Sequence, residues 1–69
     1  MKYILKESNK YIELVGLLKI MNLVGSGGEA KHLINKGKVK VNGKVETRKK
    51  AKIVRGDRVK VFDQVIFVD

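Results

Sequence analysis

The chain has 69 residues, with 16 Lys or Arg against 7 Asp or Glu and a formal charge of +9, so one modest core must carry a strongly cationic exterior. The absence of cysteine excludes disulfides and thiolate zinc sites and fits a reducing cytosol; no apolar run approaches the roughly 20 residues of a membrane span. The opening MKYILKESNK places charge on both sides of a short apolar step, unlike a signal peptide, and the expected location is the cytoplasm.

Tyr3, Ile4 and Leu5 suffice for one short strand at a sheet edge, and Glu7 to Lys10 reads as a polar turn. Leu14, Leu17, Leu18 and Met21 fall at i, i+3, i+4 and i+7, one stripe of an amphipathic helix placed at about Glu13 to Asn22. Tyr11 and Ile12 before it are also compatible with extended chain. Gly16 lies inside this helix at up to about 1 kcal/mol relative to alanine, which a close approach of the two helices would explain.

Ser26 and Glu29 have the S-x-x-E spacing of a capping box, and Ala30, Leu33 and Ile34 form the buried face of a second helix. Gly37 stands where a left-handed residue would stop it. Gly27, Lys31 and Asn35, each four apart, line one flank. Val39 and Val41 then alternate with Lys38 and Lys40, valines inward and lysines outward, before the hairpin signal Asn42-Gly43. A two-residue loop pairs Val41 with Lys44, whereas the apolar pattern prefers Val41 opposite Val45. A short return strand and a bulged one both satisfy the sequence.

Glu46 to Lys52 reads as a cationic loop or frayed strand, and Ile53 and Val54 return toward the core. Arg55 to Arg58 is a turn, Val59 and Val61 alternate with charged residues, a second turn lies in Phe62 to Gln64, and Val65 to Val68 is a last apolar strand. The expected fold is α+β: two short helices on a small, mainly antiparallel sheet of four to five short strands, forming one domain over residues 1–69.

Catalytic chemistry has little to stand on. His32, the one histidine, has no serine, cysteine or carboxylate spaced to make a dyad, and the acids are dispersed without metal-like spacing. Gly25-Ser26-Gly27-Gly28 lacks the Walker lysine spacing and follows a helix, so helix capping explains it better than a nucleotide loop. Neither an enzyme nor a cofactor is expected. The charge is more telling. Between Lys31 and Lys52 stand 9 Lys or Arg and a single acid, Glu46. Ordinary surfaces mix both signs, so this concentration points to a polyanion. A membrane surface would call for a basic helix with large aromatics on its apolar face, and here the basic density lies on loops and strand edges. Nucleic acid is therefore the expected partner, and no zinc finger, basic zipper or aromatic RNA-recognition signature narrows it further.

The pattern A-K-x-L-I-x-x-G-x-V-x-V-N-G, Ala30 to Gly43, followed by Gly56-Asp57, resembles the αL RNA-binding module first described in the small-subunit ribosomal protein four. The longer string SGGEAKHLINKGKVKVNGKVETRKKAKIVRGD is similar to the stand-alone bacterial YaaA/YbcJ-like branch of that family, and the likeness runs from about Ile12 to Val61. The resemblance implies two helices packed on a small sheet, a bacterial cytoplasmic protein without an appended catalytic domain, and RNA held across the second helix and the following hairpin. Carried over residue by residue, it implies an RNA-binding surface of Ser26, Gly27, Lys31, Lys36, Lys38, Lys40, Asn42, Lys44, Arg48, Lys49 and Lys50. Many members have an arginine just after the serine that starts the second helix; Gly27 stands there in this chain, leaving the backbone and Lys31 to substitute.

The implied partner is structured RNA, ribosomal or transfer, bound by a monomer in ribosome assembly or translation, with the ribosome or its assembly intermediates as the setting. The alternative is a non-specific DNA-binding or nucleoid-associated protein. A third reading is an adaptor for acidic proteins.

Overall fold

Valine–lysine alternation builds the centre of the molecule. A computed structural model describes Met1–Asp69. Its elements run β1 (Lys2–Tyr3), β2 (Ile12–Glu13), α1 (Leu14–Ile20), α2 (Gly27–Asn35), β3 (Val39–Val41), β4 (Lys44–Val45), β5 (Lys52–Ile53), β6 (Arg58–Val61) and β7 (Gln64–Val68). Five strands form the main sheet in the order β1-β7-β6-β3-β4, antiparallel throughout except for the parallel β1–β7 edge. A separate two-stranded antiparallel sheet pairs Ile12 with Ile53 and Glu13 with Lys52. The architecture is the expected α+β arrangement; the small second sheet is an addition to it.

In the main sheet Val39 pairs with Val61, Val41 with Val59, and Val59 with Ile66. Branched side chains suit a pleated surface, and a period of two sends them all to one face. On that face Val39, Val59, Val61, Ile66 and Val68 are buried against Leu14, Leu17 and Leu18 of α1 and Ala30 and Ile34 of α2. Every buried residue is apolar, and no buried side-chain polar atom lacks a hydrogen-bond partner.

Both helices end in the same backbone device. At α2 the Lys38 N–H donates to the Leu33 carbonyl and the Gly37 N–H to that of Ile34, with Gly37 at φ 73°. At α1 the Leu23 N–H donates to Leu18 and the Asn22 N–H to Lys19, with Asn22 at φ 58°. These are Schellman motifs, with Gly37 and Asn22 in the left-handed position. Asn22 therefore stops α1 earlier than the apolar stripe suggests, and half-buried Met21 is its C-cap rather than a core residue of its interior. Gly16 is not required by a close helix approach: a Cβ there would meet only Ile12 Cγ1, at an ordinary 3.8 Å.

The turn chemistry decides the hairpin. Asn42 and Gly43 have φ of 51° and 84°, the two positive values of a type I′ turn, and Val41 pairs with Lys44 while Lys40 pairs with Val45. The return strand is short, not bulged. Val45 lies opposite an outward lysine and is 53% exposed. Of Ile53 and Val54, only Ile53 reaches the core; Val54 is exposed.

Arg55 ties the fold together where the sequence suggested only a turn. Its Nη2 donates to the carbonyls of Leu5 and Lys6, both at 3.0 Å, and its Nη1 to that of Asn9 at 3.4 Å. The clamp holds the irregular segment after β1 against the turn before β6.

Candidate nucleic-acid interface

The start of α2 is built by its sequence. Ser26 is the extended N-cap, and its Oγ accepts the Glu29 N–H at 3.2 Å. Glu29 Oε2 reaches back to the Gly25 N–H, also at 3.2 Å, one residue earlier than the usual reciprocal box. The N–H groups of Gly27 and Gly28 have no acceptor within the protein. Those donors, the helix dipole and the still-free Ser26 hydroxyl hydrogen all favour an anion there. At position 27 a Cβ would meet Lys19 Cδ at 3.8 Å, so the side chain of Lys19 on α1 lies beside the start of α2. The structure thus brings the Lys19 side chain of the first helix beside position 27, where the resemblance implies an arginine and this chain has glycine. Sequence reasoning missed it, because Lys19 and Gly27 are neighbours only once the helices pack.

The loop after β4 sits over the start of α1. The Ala51 carbonyl accepts the Leu14 N–H at 2.9 Å and the Lys49 carbonyl accepts the Val15 N–H at 3.0 Å. The loop backbone therefore caps α1, whose own N-cap Glu13 makes no side-chain cap bond. Lys49 and Lys50 project from this support, exposed. Arg48 is different. Its Nε and Nη2 form a fork onto the two carboxylate oxygens of Glu46 at 3.1 and 3.2 Å, and its backbone N–H donates to Glu46 Oε2 at 3.0 Å. The Arg48 side-chain bonds, and then its backbone N–H, hold the Glu46 carboxyl below the usual carboxylate range. The single acid of the cationic window is thereby matched to Arg48, and no other cation between Lys31 and Lys52 has a carboxylate within 4 Å. Lys52 lies over the Tyr11 ring, 5.0 Å from its centroid, a cation–π contact.

The predicted site residues are divided rather than gathered on one face. Lys31 and Lys36 are exposed on and just after α2, and Lys44 is exposed on the edge strand, opposite half-buried Val41. Lys38 and Lys40 point to the other side of the sheet, where they share a hollow with Lys60 and Phe62. Asn42 is committed to the scaffold: its Nδ2 donates to Asp57 Oδ1 and its Oδ1 accepts the Arg58 N–H, both at 2.9 Å. Asp57 in turn accepts the Val54 N–H at 2.9 Å, so these bonds join the hairpin tip to the turn before β6. The exposed His32 imidazole has no hydrogen-bond partner and no carboxylate within 4 Å, and no cluster of three potential metal ligands exists. The surface can bind anions electrostatically and through backbone donors.

The S4 domain family model matches residues 5–69. YbcJ of Escherichia coli (strain K12) is 51% identical over 49 residues, covering 71% of this chain and 70% of its own, and YbcJ of Shigella flexneri matches to the same extent. The solution structure of YbcJ from E. coli, described as revealing an αL motif involved in RNA binding, is similar with a TM-score of 0.74 at 40% identity. That likeness covers 97% of this chain and 84% of the other. With this match, and with the capped α2, Gly37 stop and Asn42-Gly43 hairpin in place, the chain belongs to the S4 domain family.

Proposed function

We propose that this protein binds structured RNA, ribosomal or transfer, in the bacterial cytoplasm, as a non-enzymatic component of ribosome assembly or translation. One observation carries the reading: from Lys31 to Lys52 the cations outnumber the acids nine to one, and the one acid is already engaged by Arg48. The similarity to YbcJ, described through its αL motif as involved in RNA binding, supports RNA as the polyanion.

The contacts proposed are the free N–H groups at the start of α2, the Ser26 hydroxyl, Lys19 and Lys31 beside them, Lys36 and Lys44 along the helix–hairpin edge, and Lys49 and Lys50 on the loop. Lysine contacts to phosphate position a protein without reading sequence, so recognition is by shape and backbone. Asn42 contributes by setting the hairpin.

The test is fluorescence anisotropy with a folded ribosomal RNA fragment, in competition with duplex DNA at physiological salt. If about five phosphates are neutralised, the log–log slope of affinity against salt is roughly −3.5 to −4.5. The double substitution Lys49→Ala and Lys50→Ala makes that slope shallower by about 1.4 to 1.8. A flat salt response, or equal affinity for duplex DNA, defeats the proposal.

A further inference from the structure

The outer face of the five-stranded sheet carries chemistry that the helix–hairpin surface does not account for. Alternation sends Lys40, Lys60 and Val65 outward in one cross-strand row and Arg58, Phe67 and Lys2 in the next. Three adjoining hollows cross this face and share their cations. The first is lined by Lys38, Lys40, Lys60 and Phe62, and the second, about 210 Å³, by Lys40, Arg58, Lys60, Val65 and Gly43. The third, at the β1 edge, is lined by Arg58, Phe67 and Lys2 together with Asp57 and Asp69, so the unmatched cations lie in the first two. Lys38, Lys40, Arg58 and Lys60 have no carboxylate partner; Lys2 pairs with Asp69 at 3.4 Å.

Two phenylalanines lie open on this track, Phe62 at 58% and Phe67 at 49% exposure. Phe62 is also the first residue of the tight β6–β7 turn, with φ at 56°. Glycine, asparagine or aspartate suits that backbone, whereas a bulky residue there is strained. An exposed aromatic in a strained turn opposes stability twice, and such outliers concentrate where a side chain serves binding. Isolated aromatic faces interleaved with unpaired cations are the chemistry of single-stranded nucleic-acid binding: bases stack on the rings while cations follow the backbone.

We propose that this face is a second nucleic-acid surface, which takes an unpaired RNA segment by stacking bases on Phe62 and Phe67 and holding phosphates with Lys40, Arg58 and Lys60. The proposal rests on the reading of RNA as the partner. It adds a separate surface, reached from the αL side through Lys40 on strand β3 and Lys38 just before it. A structured RNA with a single-stranded flank would then engage both sides of the sheet.

The test compares a blunt RNA hairpin with the same hairpin carrying a six-uridine extension. For the native protein the extension tightens binding about tenfold, the scale of stacking one or two bases. Phe62→Gly and Lys60→Ala each remove most of that gain and leave affinity for the blunt hairpin unchanged. Glycine accepts the positive φ, so Phe62→Gly stays folded, with a melting temperature no lower than that of the native chain. Because the chain has no tryptophan, Phe67→Trp supplies a single reporter whose emission is quenched by the extended RNA.

If the blunt and extended hairpins bind equally, or if the variants weaken both alike, the second surface is refuted while RNA binding stands. If neither RNA binds, the RNA reading fails and this proposal falls with it. Quenching of the reporter by phosphatidylglycerol vesicles or polyglutamate, but not by RNA, would overturn the proposal in favour of a membrane or an acidic partner.

Discussion

The two helices end alike and begin differently. Both close in Schellman motifs, through Asn22 and Gly37. At its start α2 uses Ser26 and Glu29, residues of its own sequence, and leaves the Gly27 and Gly28 N–H groups open. At the start of α1 there is no side-chain cap; carbonyls from Lys49 and Ala51, more than thirty residues away, accept its first N–H groups. The locally capped helix thus keeps a terminus that an anion can approach. The other is closed by the loop that carries Lys49 and Lys50. One helix offers backbone donors, and the other supports side-chain cations.

That contrast can be broken by substitution. Leu17→Ala removes a fully buried side chain from α1 and is expected to cost about 2–5 kcal/mol, measured by urea unfolding. A loss of this size tests whether α1 depends on tertiary packing, and a loss under 1 kcal/mol would mean that it does not. Ser26→Ala removes the local cap of α2 and should cost about 1 kcal/mol by the same measurement. Its effect should appear as faster amide exchange in the first turn of α2, with α1 unaffected.

A gain should come from Gly16→Ala. The new methyl meets only Ile12 Cγ1 at 3.8 Å, so helix propensity dominates and stability should rise by about 0.5–1 kcal/mol. A loss would show that the β2–α1 junction is tighter than its geometry indicates.

The smallest effect is on pH dependence at the loop that caps α1. The Glu46 carboxyl is lowered by Arg48, so its contribution to stability is complete above the unfolded glutamate value of about 4.3 and is lost as pH falls through the lower folded value. Amide spectra followed from neutral pH to about 3 should show the Arg48 N–H moving below pH 4.3, with Leu14 and Val15 responding through the loop. Arg48→Ala should shift that transition upward toward the unfolded value.

Much of the fold is readable residue by residue because its determinants are local. Ser26 and Glu29 start α2, Gly37 ends it, valine alternation gives β3 and β6 their faces, and Asn42-Gly43 specifies the hairpin. Where two local signals competed at that hairpin, positive-φ turn chemistry won over apolar pairing and left Val45 opposite Lys40. The candidate site was less legible. The cation density was plain in the chain, but charge carries no face. The resemblance implied that Lys38 and Lys40 share one surface with α2; their outward alternation was readable, but only strand pairing sets them beside Lys60 and Phe62, away from the helices. Asn42 was placed on the binding surface and Arg55 in a plain turn; hydrogen bonds to the β6 turn and to the segment after β1 engage them instead.

The sequence by itself determined the α+β class, the limits of α2, the tight hairpin and the excess of positive charge, since each depends on residues a few positions apart. The tertiary structure alone decided what depends on distant partners: the loop that caps α1, the Arg55 clamp, the Lys19 side chain beside Gly27, and the side of the sheet on which each cation stands. Local backbone preference is a property of neighbouring residues, whereas the facing of a charge is settled only when strands pair and helices pack.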